Sequence, residues 1–276
     1  MANLVGGFLM PHVPLITAAK DMAPPDQAKV VYDAFGSIAQ RLRELKADTA
    51  IIIGDDHYTL FGPHCIPRCL IGIGDVEGPI EPWLGIPQGP IANNAPLARH
   101  IMERGFDDGI DWSFASSLTV DHAVGIPYHL VVREVPGVRT IPVYLNAGVA
   151  PVISSRRAYQ IGQSIGRAVQ SWKGDERVVI FGTGGISHWV GAAQMGRVNP
   201  DYDQKILAMA AQGDVDGLMA LPDAEILSEA GNGCLEIKNW LCAMGALPGA
   251  KAELIAYQAL NAWITGLGFA ELKKAA

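Results

Sequence analysis

Apolar residues along the chain follow two rhythms that alternate with one another. Short, nearly unbroken apolar runs occur at residues 3–10, in "DTAIIIGDDH", "RCLIGIG" and "RTIPVYLN", and in "RVVIFGTGGISH". Their length and β-branched content predict strands buried on both faces. Between them the spacing lengthens. After "DMAPPDQ", apolar side chains recur at Val30, Val31, Phe35, Ile38, Leu42 and Leu45, one face of a helix of about five turns. "SSRRAYQIGQSIGRAVQSW" predicts another helix, and the stretch from Pro200 to about Leu247 predicts four more, the last being "CLEIKNWLCAMGAL" with Glu236 inside it. Such alternation predicts an α/β fold with a largely parallel or mixed central sheet flanked by helices and an active site at the strand ends. No internal repeat or linker divides the chain, so residues 1–276 are expected to form a single catalytic domain.

Composition narrows the partners. The 276 residues are 49% hydrophobic and 18% charged, enough apolar content for a sizeable core, and the formal net charge is −7. No basic run tracks a phosphate backbone, so nucleic acid is not an expected partner. The apolar N-terminus "MANLVGGFLMPHVPLI" has no basic leader, and two prolines and a histidine break it. Neither a signal peptide nor a spanning helix fits, so no membrane partner is expected and the cytoplasm is the expected compartment. The four cysteines, at 65, 69, 234 and 242, are too scattered for a disulfide framework. Cys65 and Cys69 are read as small apolar residues of a buried strand rather than as a metal pair.

Three of the seven histidines, His12, His57 and His188, fall at predicted strand ends. Ligand crevices of open α/β sheets lie there. Any one of them alone reads more readily as a satisfied turn or core histidine. Two imidazoles and a carboxylate form a facial triad suited to Fe(II), and zinc hydrolases use a similar set, so ligand chemistry alone leaves the metal open. Asp55 and Asp56 are candidate ligands, imidazole-orienting groups or a solvated acidic turn. In "TVDHAVGIP", read as extended, His122 faces a pocket while Asp121 caps or supports the loop. The glycines of "GTGGISH" match neither a Walker loop nor a dinucleotide fingerprint. They are read instead as letting backbone pass close to a substrate while His188 acts as an acid-base group. Ser187 lacks a nucleophile elbow, and His64, His100 and His129 are taken as structural. The Pro/Gly-rich excursion "DVEGPIEPWLGIPQGPIANNAP" is expected to shape a site mouth.

In order, "MPHVP", "GDDHYTLF", "TVDHAVGIP", "GTGGISH" and "LEIKNWLCAMGALPG" resemble the motif series of the class III extradiol ring-cleaving dioxygenases, typified by the β subunit of protocatechuate 4,5-dioxygenase. The likeness spans about residues 5–270. It implies that His12, His57 and Glu236 ligate Fe(II), that His188 is the acid-base histidine, and that His122 is a second active-site histidine. Asn261, in the loosely similar tail "AYQALNAWITGLGF", becomes a substrate contact. The implied reaction inserts both atoms of O2 into a catecholic substrate, protocatechuate-like or a related diol, and opens the ring beside the diol to a semialdehyde-type product. The resemblance further implies homo- or hetero-oligomers, with a small α-type subunit as one partner. Against it stand a zinc-dependent hydrolase or lyase on the same ligands, and a non-catalytic binding or assembly subunit.

Overall fold

The computed structural model describes residues 1–274. The strands are β1 (Asn3–Met10), β2 (Thr49–Asp55), β3 (Cys69–Gly78), β4 (Gly89–Ile91), β5 (Ser113–Thr119), β6 (Arg139–Leu145), β7 (Arg177–Thr183), β8 (Ala250–Leu260) and β9 (Thr265–Lys274). The helices are α1 (Leu15–Ala18), α2 (Pro25–Glu44), α3 (Ala95–Asp107), α4 (His122–Leu130), α5 (Ser155–Ser171), α6 (Pro200–Gln212), α7 (Val215–Ala220), α8 (Asp223–Ala230) and α9 (Ile237–Ala246). The strands form one mixed sheet ordered β4-β3-β6-β2-β7-β1-β9-β8, with β5 beside β3. At its centre β6, β2, β7 and β1 run parallel, and β3 and β9 flank them antiparallel.

Alternation along these central strands divides the core in two. Ile51, Ile53, Val178 and Ile180 pack towards α3, α5 and α9, while Ala50, Ile52, Val179 and Phe181 pack towards α2 and α4. Covering both faces explains why β2 reads as a continuous apolar run. Because β1, β2 and β7 are parallel, their C-terminal ends share one edge of the sheet, and the segments after them carry His12, His57 and His188. No helix among the described residues is long and apolar enough to cross a membrane.

Several local expectations change. In "TVDHAVGIP" Thr119 ends β5 and the chain is helical, not extended, from His122: the Asp121 side chain accepts the N–H of Ala123 and caps α4. Pro127 lies inside α4, and the Ala123 carbonyl that a residue 127 N–H would have bonded accepts from the Thr183 hydroxyl at 3.2 Å. Glu236 is not inside the last helix but ends a short 3-10 turn, Gly233–Glu236, immediately before α9. Cys69 opens β3 and is buried, whereas Cys65 is exposed in the loop before it.

Candidate functional site

Four histidines from three strand ends and one helix start converge at this edge, and each has its Nδ1 committed. The Thr183 hydroxyl's one proton is shared between the Ile53 carbonyl at 2.9 Å and the Ala123 carbonyl at 3.2 Å, so towards His12 Nδ1, also at 2.9 Å, it accepts. His57 Nδ1 donates to Asp121 Oδ2 at 3.2 Å, His122 Nδ1 to Glu81 Oε1, and His188 Nδ1 to the Ile186 carbonyl at 3.0 Å. Each ring is thereby held in the tautomer that leaves Nε2 with its lone pair.

Glu236 sits among three of those nitrogens. Its carboxylate places Oε2 3.5 Å from His12 Nε2, and Oε1 3.4 Å from His57 Nε2 and 3.5 Å from His188 Nε2. The Gly185 N–H anchors Oε2 at 2.7 Å. Against the cost of burial, positive charge facing it from His12 and His188 holds the Glu236 carboxyl well below the usual carboxylate range; with those rings neutral, a bound cation would supply that charge. The glycines after β7 therefore make room for protein groups. A Cβ on Gly184 would lie 2.4 Å from Glu236 Cβ, and one on Gly185 would lie 2.3 Å from Thr265 Cγ2 and 3.0 Å from the His188 ring. The anion that this turn receives is the chain's own carboxylate.

The two acids after β2 divide. Asp56 accepts the N–H groups of Leu60 and Phe61 and shapes the following loop. Asp55 is wholly buried, held through Oδ1 by the Asn239 amide at 2.8 Å, with Oδ2 3.8 Å from His57 Nε2 and without a hydrogen-bond partner. Burial and the Glu236 charge push the Asp55 carboxyl up to about 6. One donor atom from each of His12, Asp55, His57 and Glu236 lies within 4.8 Å of all the others. His12 Nε2 is likewise buried without a hydrogen-bond partner. Lone pairs left orphaned beside buried carboxylates fit a divalent cation. Ligand atoms about 2.1 Å from one ion and at right angles stand about 3 Å apart, close to the spacing of Glu236 from the two imidazoles.

Above this cluster opens a cavity of about 250 Å³, lined by the four histidines, Glu236 and Thr265, with apolar walls. The family described as "Catalytic LigB subunit of aromatic ring-opening dioxygenase" matches residues 6–268. The chain belongs to this family.

Two relatives named 2,3-dihydroxyphenylpropionate/2,3-dihydroxicinnamic acid 1,2-dioxygenase are similar over nearly their full length. The protein from Photorhabdus laumondii is 24% identical, covering 93% of this chain and 93% of its own, and one from Rhodococcus sp is 25% identical, covering 94% and 95%. An uncharacterized protein from Escherichia coli K12, JW3007, has the same fold at a TM-score of 0.59 and 9% identity, covering 97% of this chain and 99% of that one. The LigB-family chain described here is accordingly a ring-cleaving dioxygenase, acting with O2 on a small aromatic molecule in a metal-dependent family.

Of the residues singled out in the sequence, this LigB-family structure gathers His12, His57, His122, His188 and Glu236 around one cavity. Asn261 stands apart from the cavity wall: it is exposed and its amide donates to the Gly196 carbonyl at 2.8 Å. Its neighbours Ile264 and Thr265 line the cavity instead, Ile264 in a left-handed conformation at φ 56° that a β-branched side chain adopts only under strain. Sequence reasoning missed Thr183, Glu81, Asn239 and Tyr144. Of these, Glu81 carried a signal, being an acid within the Pro/Gly-rich excursion that was expected to form the mouth. The Tyr144 hydroxyl donates to Asp121 Oδ1 at 3.0 Å, so Asp121 holds the helix start, the tyrosine and His57 together. Replacing Asp121 with Asn weakens its grip on the His57 Nδ1–H, and metal affinity is expected to fall about 10–100-fold in a competitive chelator titration.

Proposed function

We propose that the protein is a non-haem Fe(II)-dependent extradiol dioxygenase that opens catecholic rings beside the diol, with His12, His57 and Glu236 as the metal ligands. The observation that carries this reading is the convergence of two imidazole Nε2 lone pairs on one buried carboxylate at the floor of the cavity. Bound Fe(II) supplies the redox chemistry and the open coordination positions that a diol and O2 require. The protein's own part is orientation, dryness and proton traffic.

His188 Nε2 receives the proton of a diol hydroxyl, and its Nδ1–H, bonded to the Ile186 carbonyl, steadies the imidazolium that results. The same nitrogen returns the proton when the ring opens. His122, with Glu81 behind it and its ring 4.1 Å from that of His57, provides the second proton-handling position. The apolar walls exclude bulk water, which strengthens each of these contacts. Both atoms of O2 enter a semialdehyde-type product, and the substrate is a diol of the protocatechuate-like or related catecholic class. The family match extends over residues 6–268 as one block, which supports a single catalytic domain. Four unpaired cysteines and the need for ferrous iron suit the cytoplasm.

The metal assignment is tested by stripping the protein with chelator and reloading it anaerobically with Fe(II), Mn(II) or Zn(II) before adding O2 and catechols. Oxygen uptake is expected with Fe(II) and not with Zn(II). Equal activity with Zn(II) would overturn the redox role of the ion.

A further inference from the structure

The cavity walls speak to the substituent on the diol, an inference that rests on the proposed function. Away from the histidines and Glu236, the walls are built from Val13, Leu15, Trp83, Val190, Met195 and Ile264, and nearly all of their exposed surface is carbon. Among the described residues, no lysine or arginine lines the cavity. Arg197 is the cation nearest in sequence to the wall residue Met195, and its guanidinium lies over the face of Trp189, 4.8 Å from the ring centre. Besides the Trp83 indole N–H, the polar side-chain group that the walls add among the described residues is the Thr265 hydroxyl. It is neutral, buried and without a hydrogen-bond partner, and suits an uncharged donor or acceptor. Trp83, Val190 and Met195 are 57%, 46% and 56% exposed, so the apolar surface continues outward to the rim.

We infer that the preferred substrate is a catechol bearing an uncharged, apolar ring substituent. This sets the chain apart from the relatives named for a substrate with a carboxylate side chain. A carboxylate seated against these walls would lose its hydration and find no cation or convergent N–H donors in exchange. An alkyl or aryl group would instead gain from every carbon buried. Nothing in the metal cluster distinguishes the two, because both present the same diol.

The test compares substituents of matched length on the intact Fe(II)-loaded protein. Catechol, 3-methylcatechol, 3-propylcatechol and 3-(2,3-dihydroxyphenyl)propionate are titrated anaerobically by calorimetry, and kcat/KM is then measured for each with O2. Affinity is expected to rise about threefold to fourfold per added methylene, and the propionate to bind at least about tenfold more weakly than 3-propylcatechol. A Val190→Arg variant, altered at a half-exposed wall position, is expected to shift the affinity ratio at least about tenfold towards the propionate. Propionate bound and opened tenfold better than 3-propylcatechol by the unaltered protein would overturn the inference. If the predicted binding order held without oxygen uptake, the catalytic reading would fall and the substituent preference would stand.

Discussion

Replacing His188 with phenylalanine is expected to lower kcat by about 10²–10⁴-fold while the protein still retains its metal. His188 Nε2 is 3.5 Å from Glu236 Oε1, but the carboxylate is independently anchored by the Gly185 N–H and faced by His12 and His57. Loss of the imidazole removes a proton acceptor and leaves the proposed ligand set in place. The ring is tightly enclosed, since a Cβ on Gly233 would fall 2.0 Å from Nε2. His188→Gln therefore accompanies the phenylalanine variant as a smaller replacement that cannot act as a base near neutral pH. Elemental analysis and steady-state oxygen uptake read the two effects separately. Undiminished turnover in both variants would remove His188 from the proton path.

The second large effect is expected at Glu236. Glutamine has the shape of glutamate, and its amide oxygen can keep the Gly185 N–H bond at the position now held by Oε2. Its NH₂ group would then be directed towards the position of Oε1, 3.4 Å from His57 Nε2 and 3.5 Å from His188 Nε2. A negative donor is thus exchanged for a neutral one whose nitrogen has no lone pair to offer. Metal affinity is expected to fall roughly 100-fold or more, beyond the loss from disturbing an outer partner, and activity to disappear at limiting Fe(II). Thermal unfolding of the metal-free variant is expected to stay near that of the unaltered metal-free protein. Unchanged iron content and rate would exclude Glu236 as the carboxylate ligand and turn attention to Asp55.

The parts of the site behind these expectations differ in how readable they are. The strand ends were legible because burial on both faces makes β1, β2 and β7 apolar runs, and the residues just after such a run in a parallel sheet lie at the crevice. His12, His57 and His188 emerge from that logic without any structure. Glu236 does not, because it meets His57 across 179 positions of sequence and no local rhythm marks it. It entered only through the resemblance. The partners that hold the site's side chains were hidden for the same reason: Thr183 meets His12 across 171 positions, and Asn239 meets Asp55 across 184. Two fold errors have local causes. The short apolar step before Asp121 reads as extended chain, whereas α4 begins at His122, and the missing N–H of Pro127 within it is offset where the Thr183 hydroxyl donates to the freed Ala123 carbonyl. β5, "SFASSLT", is serine-rich and largely exposed beyond β3, so it lacks the apolar content that marks a buried strand.

The central claim is that this site breaks the ring beside the diol and places both oxygen atoms of O2 in the product. Its most direct test is a single turnover of Fe(II)-loaded protein with catechol under ¹⁸O₂, the product being trapped at once and identified by mass spectrometry and NMR. The account predicts a yellow ring-opened semialdehyde carrying both labelled atoms. A colourless diacid from cleavage between the two hydroxyl-bearing carbons, or a product with label from solvent water alone, would contradict it.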